Sequence, residues 1–274
     1  MDSQNNLSFL VTFEKTVNFI RNRFPLIAIA SVVLALASSL LSYLIFDPAA
    51  LVASMVYYSN PAQVLGALFG RLLLLTIVFI FIGAVAIGII YNLTASDKLD
   101  TKLVSQRILP AFLNLAGFTA IYFIIFIIAG ILLSLIMWII GMILPQKLVV
   151  LLTILIGFAI YLIISIIVNY FCASLIVPDS IGFFQRFAGS HKLAVTKWKA
   201  PLLMVLISFG ITIVLGLINY LLGNNIIVAT ITSIVSMFIS FFVYSFFYRL
   251  YNVSNNVELP KLDDNNQNNQ QIIS

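Results

Sequence analysis

The chain has 274 residues, of which 62% are hydrophobic and only 8% are charged, and its formal net charge is +5. About a quarter of the residues of a typical soluble domain are charged, so this composition excludes an ordinary soluble protein and indicates a surface that mostly faces lipid. The excess positive charge lies at the edges of apolar runs, where anionic lipid headgroups are a simpler partner than nucleic acid.

Six apolar runs follow one another along the chain, and each is long enough to cross a bilayer core, which takes about 20 residues. They cover residues 25–46, 72–91, 111–144, 148–177, 201–222 and 226–248. As a single helix the third run would measure about 51 Å. We therefore expect it to tilt, to bend near Gly130 or Gly141, or to begin at the membrane surface. The predicted fold is an all-α polytopic membrane protein with six transmembrane helices arranged in three hairpins.

The basic residues alternate between the gaps that separate these runs. Twelve of the 14 Lys and Arg residues lie in the N-terminal segment, the second gap, the fourth gap and the tail, whereas Arg71 and Lys147 lie in the first and third gaps. Short loops that are rich in Lys and Arg remain in the cytoplasm. Both termini are therefore predicted to be cytoplasmic.

Segments outside the spans divide the chain into three parts. Residues 1–24 form a cytoplasmic amphipathic segment, residues 25–250 the membrane domain, and residues 251–274 an Asn- and Gln-rich tail predicted to be disordered. Apolar residues recur in the first segment at three- and four-residue steps: Leu10, Phe13, Val17, Ile20 and Phe24. A looser amphipathic pattern runs from Ile181 to Trp198. It indicates a second surface helix or a connector packed under the bundle.

Three spans share a basic residue followed by a proline, at Pro25, Pro110 and Pro201. Proline suits the first turn of a helix, where its missing N–H would have no partner, and a nearby cation can reach the headgroups. The pattern is compatible with a repeated hairpin or with a general preference at cytoplasmic helix starts. The residues predicted to contact anionic headgroups are Arg21, Arg23, Arg107, Lys197 and Lys199.

No ionisable residue lies well inside a span, which argues against an ion-coupled pump. The neutral residues Asn114, Asn169 and Asn219 are candidates for a polar path, although such residues more often bond neighbouring helices. Small residues at Gly66 and Gly70 indicate close helix packing within the chain or with another copy. A further small-residue ridge consists of Ser31, Ala35 and Ser39.

Candidate catalytic groups are few and scattered. Cys172 and His191 are the only residues of their types, so the sequence predicts no disulfide and no metal site built from His and Cys. Asp97 and Asp100 lie on a basic loop, and no acid is placed near Ser190 and His191. We expect no catalytic residue, no cofactor and no enzymatic activity.

Several short motifs resemble the YciC family of uncharacterised enterobacterial inner-membrane proteins. They are residues 19–24, 108–110, 177–184, 193–198 and 247–251. The resemblance implies a six-span protein of the bacterial inner membrane, and it carries no catalytic residue onto this chain. The Asn- and Gln-rich tail and a shorter first outer loop depart from the family pattern.

Two functions follow from these observations. The first is a non-enzymatic role in envelope or lipid homeostasis, in which the basic inner face binds anionic headgroups, alone, as a homo-oligomer or with other inner-membrane proteins. The alternative is a permease for a neutral or lipid-like solute that uses the asparagines. An intramembrane enzyme is the third and weakest reading, because the spans contain no cluster of acid, base and nucleophile.

Overall fold

The structure, a computed structural model, describes residues 9–45, 61–177, 181–223 and 226–255. Every regular element in these ranges is an α-helix, which confirms the predicted fold class. In chain order the helices are α1 (Phe9–Asn22), α2 (Phe24–Ile45), α3 (Pro61–Ala95), α4 (Thr101–Gly141), α5 (Gln146–Ile176), α6 (Phe183–Thr196), α7 (Lys199–Leu221) and α8 (Ile226–Asn255).

Six of these helices are long and apolar enough to cross a membrane, as predicted: α2, α3, α4, α5, α7 and α8. An α-helix satisfies its backbone hydrogen bonds internally, which is required in lipid. Long runs of Leu, Ile, Val, Phe and Ala give these helices the apolar surface that lipid favours. The chain is therefore a multi-pass membrane protein by length and composition. The two shorter helices, α1 and α6, adjoin α2 and α7.

Helix α4 corrects one sequence expectation. It begins at Thr101, where the Asp100 side chain caps it by accepting a hydrogen bond from the Lys102 N–H at 2.8 Å. Pro110 therefore lies inside the helix and not in its first turn, although Pro25 and Pro201 do lie in the first turns of α2 and α7. Because of this cap, the helix begins ten residues before the apolar run. It continues through the run to Gly141 as one 41-residue helix.

Packing is concentrated in one half of the bundle. The buried apolar side chains of the long helices lie mainly within residues 27–35, 82–93, 104–122, 166–177, 204–205 and 241–251. We call this half the packed end. In the opposite half, the open end, residues 123–132 of α4 are exposed on every face. The spans converge at the packed end and diverge toward the open end.

The packed end contains the segments that carry most of the basic residues. Arg23 pairs with Asp97, which joins the end of α1 to the second gap. Arg107 Nε donates to the Leu175 carbonyl at 2.9 Å, which joins the start of α4 to the end of α5. The Arg249 guanidinium of α8 lies over the Phe19 ring. The gaps that the charge count assigned to one side thus share one end of the bundle.

One segment boundary, the start of the tail, changes in the structure. Helix α8 continues to Asn255, and Tyr251 and Asn252 are buried. The predicted start of the disordered tail at residue 251 is therefore five residues too early, because these side chains pack against the core. The rest of the tail, and Phe46 at the predicted end of the first span, lie outside the described residues.

Helix α1 is amphipathic, but its predicted apolar stripe divides between two faces. Phe13 packs against Phe242 of α8, with 5.2 Å between ring centroids, and Ile20 is buried. Leu10, Val17 and Phe24 remain exposed, and they lie at seven-residue intervals along one line of the helices. Contact with α8 covers Phe13 and part of Phe24, whose ring centroid lies 5.9 Å from that of Phe238, and leaves most of Leu10 exposed.

Close helix approach occurs at glycines other than those expected. A Cβ atom at Gly66 or Gly70 would meet nothing within 4 Å in the described structure, so this pair makes no close contact between helices of the chain. A Cβ at Gly88 would lie 3.1 Å from the Val104 carbonyl oxygen of α4. Gly117 is similarly close to the Phe183 ring, at 3.2 Å. The tight contacts belong to the packed end.

Candidate functional site

The cations of the packed end separate by residue type. The arginines Arg23, Arg107, Arg186 and Arg249 are buried or half-buried. Arg21 and the described lysines are exposed. A guanidinium can make several directed hydrogen bonds while remaining charged, whereas an ammonium is strongly hydrated. The inward arginines therefore act as internal connectors, and the outward cations are available to a partner.

Two arginines bind the backbone at the end of α5. Arg107 donates to the carbonyls of Leu175 and Val177, and Arg186 donates to the carbonyl of Ser174. The last carbonyls of a helix lack intrahelical donors and carry partial negative charge, so cations stabilise them. Helices α4 and α6 are thereby attached to the same helix terminus.

A second cluster surrounds Phe19 of α1. The guanidinium carbon atoms of Arg23 and Arg249 lie 4.7 and 4.6 Å from the centre of the Phe19 ring, within range of cation–π attraction. Arg23 Nη2 also donates to Asp97 Oδ1 at 2.6 Å, and Arg249 Nη1 donates to the Ser245 carbonyl at 2.8 Å. These contacts link α1, α8 and the α3–α4 connection.

The five predicted headgroup residues thus divide into two groups. Arg23 and Arg107 are engaged with the protein, whereas Arg21, Lys197 and Lys199 are exposed. Lys197 and Lys199 have exposed apolar neighbours in the chain, because Val195 is 77% exposed and Trp198 is also exposed. Exposed apolar groups beside cations are typical of segments at the membrane interface.

The three asparagines proposed for a polar path do not come together. Asn114 Nδ2 donates to the Pro110 carbonyl at 2.7 Å, and Asn169 Nδ2 donates to the Ser165 carbonyl at 2.8 Å. Both bonds remain within one helix. Only Asn219 reaches another helix, because its Nδ2 donates to Thr232 Oγ1 of α8 at 2.9 Å. Asn219 also lines a cavity that Asn114 and Asn169 do not line.

That cavity lies between α2, α3, α7 and α8, and its volume is about 1170 Å³. It extends toward the open end, and none of the described residues that line it is charged. Half of its 24 lining residues carry a hydroxyl or amide group. They are Ser38, Ser39, Ser42, Tyr43, Thr212, Asn219, Thr230, Thr232, Ser233, Ser236, Ser240 and Tyr244.

A sequence signal for this cavity exists on α8. Ser233, Ser236, Ser240 and Tyr244 follow one another at steps of three and four residues, which places them on one face of a helix. The ridge predicted on α2 also contributes, since Ala35 and Ser39 line the cavity. The spacing identifies the face, and the pairing of α2 with α8 determines what it encloses.

Two other polar contacts lie among the spans. The thiol of Cys172 is buried against the hydroxyl of Tyr244, so Cys172 acts as a packing residue. His191 Nδ1 lies 2.7 Å from the Phe187 carbonyl, which can only accept, so this nitrogen carries a proton. In the neutral ring, Nε2 therefore accepts from the Tyr122 hydroxyl at 2.7 Å.

This geometry does not assemble a Ser–His–acid site. Ser190 Oγ donates to the Arg186 carbonyl at 2.7 Å, and both nitrogens of His191 are engaged elsewhere. Within the described residues, no three His, Cys, Asp or Glu side chains are close enough to hold a metal ion.

No family model matches this sequence, and no match was found among curated proteins or among solved structures.

Proposed function

We propose that this chain is a non-enzymatic, multi-pass protein of the bacterial inner membrane that acts in lipid or envelope homeostasis. In this proposal the packed end faces the cytoplasm and binds anionic lipid headgroups. The observation that carries it is the exposure of the three cations Arg21, Lys197 and Lys199, the last two of which adjoin the exposed Val195 and Trp198 in the chain. The resemblance to the YciC family agrees with the location.

Several weak attractions add up when exposed cations lie at an anionic membrane surface. Each Lys or Arg near an anionic membrane surface contributes about 1 kcal/mol. An apolar side chain beside the cation strengthens membrane binding, because it is buried at the boundary between headgroups and acyl chains. Phe184 of α6, which is 76% exposed, would provide a further apolar contact. The inward arginines hold the helices that present these groups.

The test is lipid copurification from membranes of mixed composition. The triple variant Arg21→Gln, Lys197→Gln and Lys199→Gln should lose most of the anionic-lipid enrichment of the wild-type protein, as measured by mass spectrometry of bound lipid. The matched control is Lys147→Gln, since Lys147 is exposed in the third gap, away from the packed end. An unchanged proportion of anionic lipid in the triple variant would contradict the proposal.

Orientation has a separate test. A reporter that is active only in the cytoplasm, fused at the C-terminus of the full chain, should give a signal. A second reporter inserted between α4 and α5, beside Lys147, should be active only on the periplasmic side. Reversal of the two signals would place the packed end outside the cell and remove the basis for cytoplasmic headgroup binding.

A permease for a neutral or lipid-like solute is the second candidate, and the uncharged cavity favours it. Protein reconstituted in sealed vesicles should accelerate the entry of a radiolabelled neutral solute, with glycerol as the first probe. Asn219→Leu should reduce that flux, whereas Asn169→Leu should leave it unchanged, because Asn169 bonds within its own helix. Flux equal to that of protein-free vesicles for glycerol and for a lipid-like probe would exclude this function.

A further inference from the structure

One polar side chain that lines the cavity, Asn219, has an atom without a hydrogen-bond partner among the described residues. Asn219 Nδ2 donates to Thr232 Oγ1, and the Thr232 hydroxyl lies 3.0 Å from the carbonyls of Val228 and Ala229, to which it donates. Thr232 Oγ1 can therefore only accept from Asn219. Oδ1 of Asn219 is buried, and no described residue donates to it.

The orientation of the Asn219 amide follows from this chain of bonds. With its NH₂ group toward Thr232, whose hydroxyl donates to the backbone of α8, the amide directs its oxygen away from that hydroxyl. A buried carbonyl oxygen without a donor is unfavourable, so a hydroxyl or N–H from a bound molecule would stabilise it.

Charge limits the kind of molecule that fits. None of the described lining residues is charged, so a bound anion or cation would lack a counter-ion. A charge without a partner is strongly disfavoured where water is scarce. Serine and threonine hydroxyls, by contrast, can bond a neutral polar group. The described lining therefore favours a neutral occupant.

Size and lining indicate an amphiphile. The volume of about 1170 Å³ exceeds the range of about 300–1,000 Å³ usual for small-molecule pockets. Apolar side chains share the lining with the hydroxyls, among them Phe79 and Ile82 of α3 and Met237 of α8. An acyl chain can contact these side chains while a polar group bonds the hydroxyls.

We infer that the cavity between α2, α3, α7 and α8 binds a neutral amphiphile that carries a free hydroxyl or amide N–H, and that this donor bonds Asn219 Oδ1. The inference goes beyond headgroup binding at the packed end and does not depend on it. It concerns the cavity of the permease candidate but requires no transport.

The experiment compares two lipids that differ in one hydrogen-bond donor. The full chain is placed in nanodiscs of phosphatidylcholine and titrated with radiolabelled 1,2-dioleoylglycerol or with its 3-O-methyl ether, which lacks the hydroxyl hydrogen. Wild-type protein should bind the alcohol about tenfold more tightly, which corresponds to one hydrogen bond of about 1.4 kcal/mol. Equal affinity for the two probes, or binding no greater than that of protein-free nanodiscs, would overturn the inference.

Variants locate the site. Asn219→Leu should bind both probes equally, and Asn169→Leu should retain the tenfold preference. Ser233→Leu, which fills the cavity from α8 without altering Asn219, should weaken both probes and guards against misfolding of Asn219→Leu. Thermal unfolding of each variant establishes that it is folded. A preference retained in Asn219→Leu would contradict the role of this amide.

The two proposals fail separately. The triple variant at Arg21, Lys197 and Lys199 should keep its preference for dioleoylglycerol, because these residues do not line the cavity. Asn219→Leu should in turn keep its enrichment in anionic lipid. A loss of both properties in either variant would show that the two ends are not independent and would contradict the assignment of one ligand to each.

Discussion

The packed and open ends belong to the same helices but treat polar groups in different ways. At the packed end, buried and half-buried arginines bond backbone carbonyls or rings of other helices, as Arg107, Arg186 and Arg249 do. In the cavity that extends toward the open end, the described polar groups are neutral and several bond their own helix, as Thr212 and Ser240 do. The first arrangement joins helices, and the second leaves them separable.

This difference explains how a cavity lined by hydroxyls can exist beside lipid. A Ser or Thr hydroxyl that donates to the carbonyl four residues earlier needs no partner from another helix. Thr230 makes such a bond to Ile226 at 2.8 Å, and Thr212 bonds Ser208 at 2.9 Å. Asn219 is the exception, because its second polar atom has no donor. These hydroxyls are therefore satisfied without a ligand, whereas Asn219 Oδ1 is not.

The largest effect is expected from Arg186, which is 5% exposed. Arg186→Met should lower the free energy of unfolding by about 3 kcal/mol, because the carbonyls of Ser174 and Ile181 lose their charged donor and each unsatisfied group costs about 1–3 kcal/mol. Denaturant unfolding in detergent would measure this. Lys192→Met, an exposed cation on the same helix, should change it by less than about 0.5 kcal/mol.

Equal stability of the Arg186 and Lys192 variants would break the distinction between inward arginines and outward lysines. Both residues would then act as surface cations. The attachment of α6 to the end of α5 would have to come from apolar contacts alone, such as the packing of Phe183 against Phe171.

The next effect concerns glycines in one helix. Gly88→Ala should destabilise the protein by about 1–3 kcal/mol, because the new methyl group would lie 3.1 Å from the Val104 carbonyl oxygen and force α3 and α4 apart. Gly70→Ala has open space and should be neutral or slightly stabilising. Thermal unfolding of the two variants measures the difference. A larger loss for Gly70→Ala would show that the open end is packed in the membrane, within the chain or against another copy.

The sequence was sufficient for the spans and for the grouping of the basic gaps, since both depend on composition and on the bilayer. It could not separate Arg23 and Arg107 from Arg21, because all three stand at similar helix boundaries and differ only in what lies opposite. Gly70 and Gly88 are likewise equivalent until the neighbouring helix is known. These distinctions depend on tertiary contacts, which the sequence alone does not give.

The candidate site shows the same limit. Asn219 was among three asparagines that the sequence could not rank, since each lies in an apolar run. What separates it is the approach of α8, which brings Thr232 within hydrogen-bonding distance. The hydroxyl face of α8 can be recognised from its spacing, but the volume it encloses depends on how far α2 and α7 diverge.

A smaller effect is expected at the ion pair between Arg23 and Asp97. Asp97→Asn should change the free energy of unfolding by less than about 1 kcal/mol, because the Asp97 side chain is 74% exposed and exposed ion pairs contribute little. Arg23→Met should cost more, since Arg23 is 7% exposed and also contacts the Phe19 ring. Unfolding at low and at high salt would check both. A loss of several kcal/mol in Asp97→Asn would show that water does not screen this pair.

A difference of less than about 1 kcal/mol is expected between a hydroxyl at the packed end and one beside the cavity. Ser190 and Ser240 each donate to the carbonyl four residues earlier, at 2.7 and 3.0 Å, so removal of either hydroxyl breaks the same kind of bond. Ser190 is fully buried at the packed end, so Ser190→Ala should cost about 1 kcal/mol by leaving a small void. Ser240→Ala should change stability by less than about 0.5 kcal/mol, because the cavity already adjoins it. If careful unfolding measurements give Ser240→Ala the larger cost, its hydroxyl joins helices, and the open end is held together by polar contacts after all.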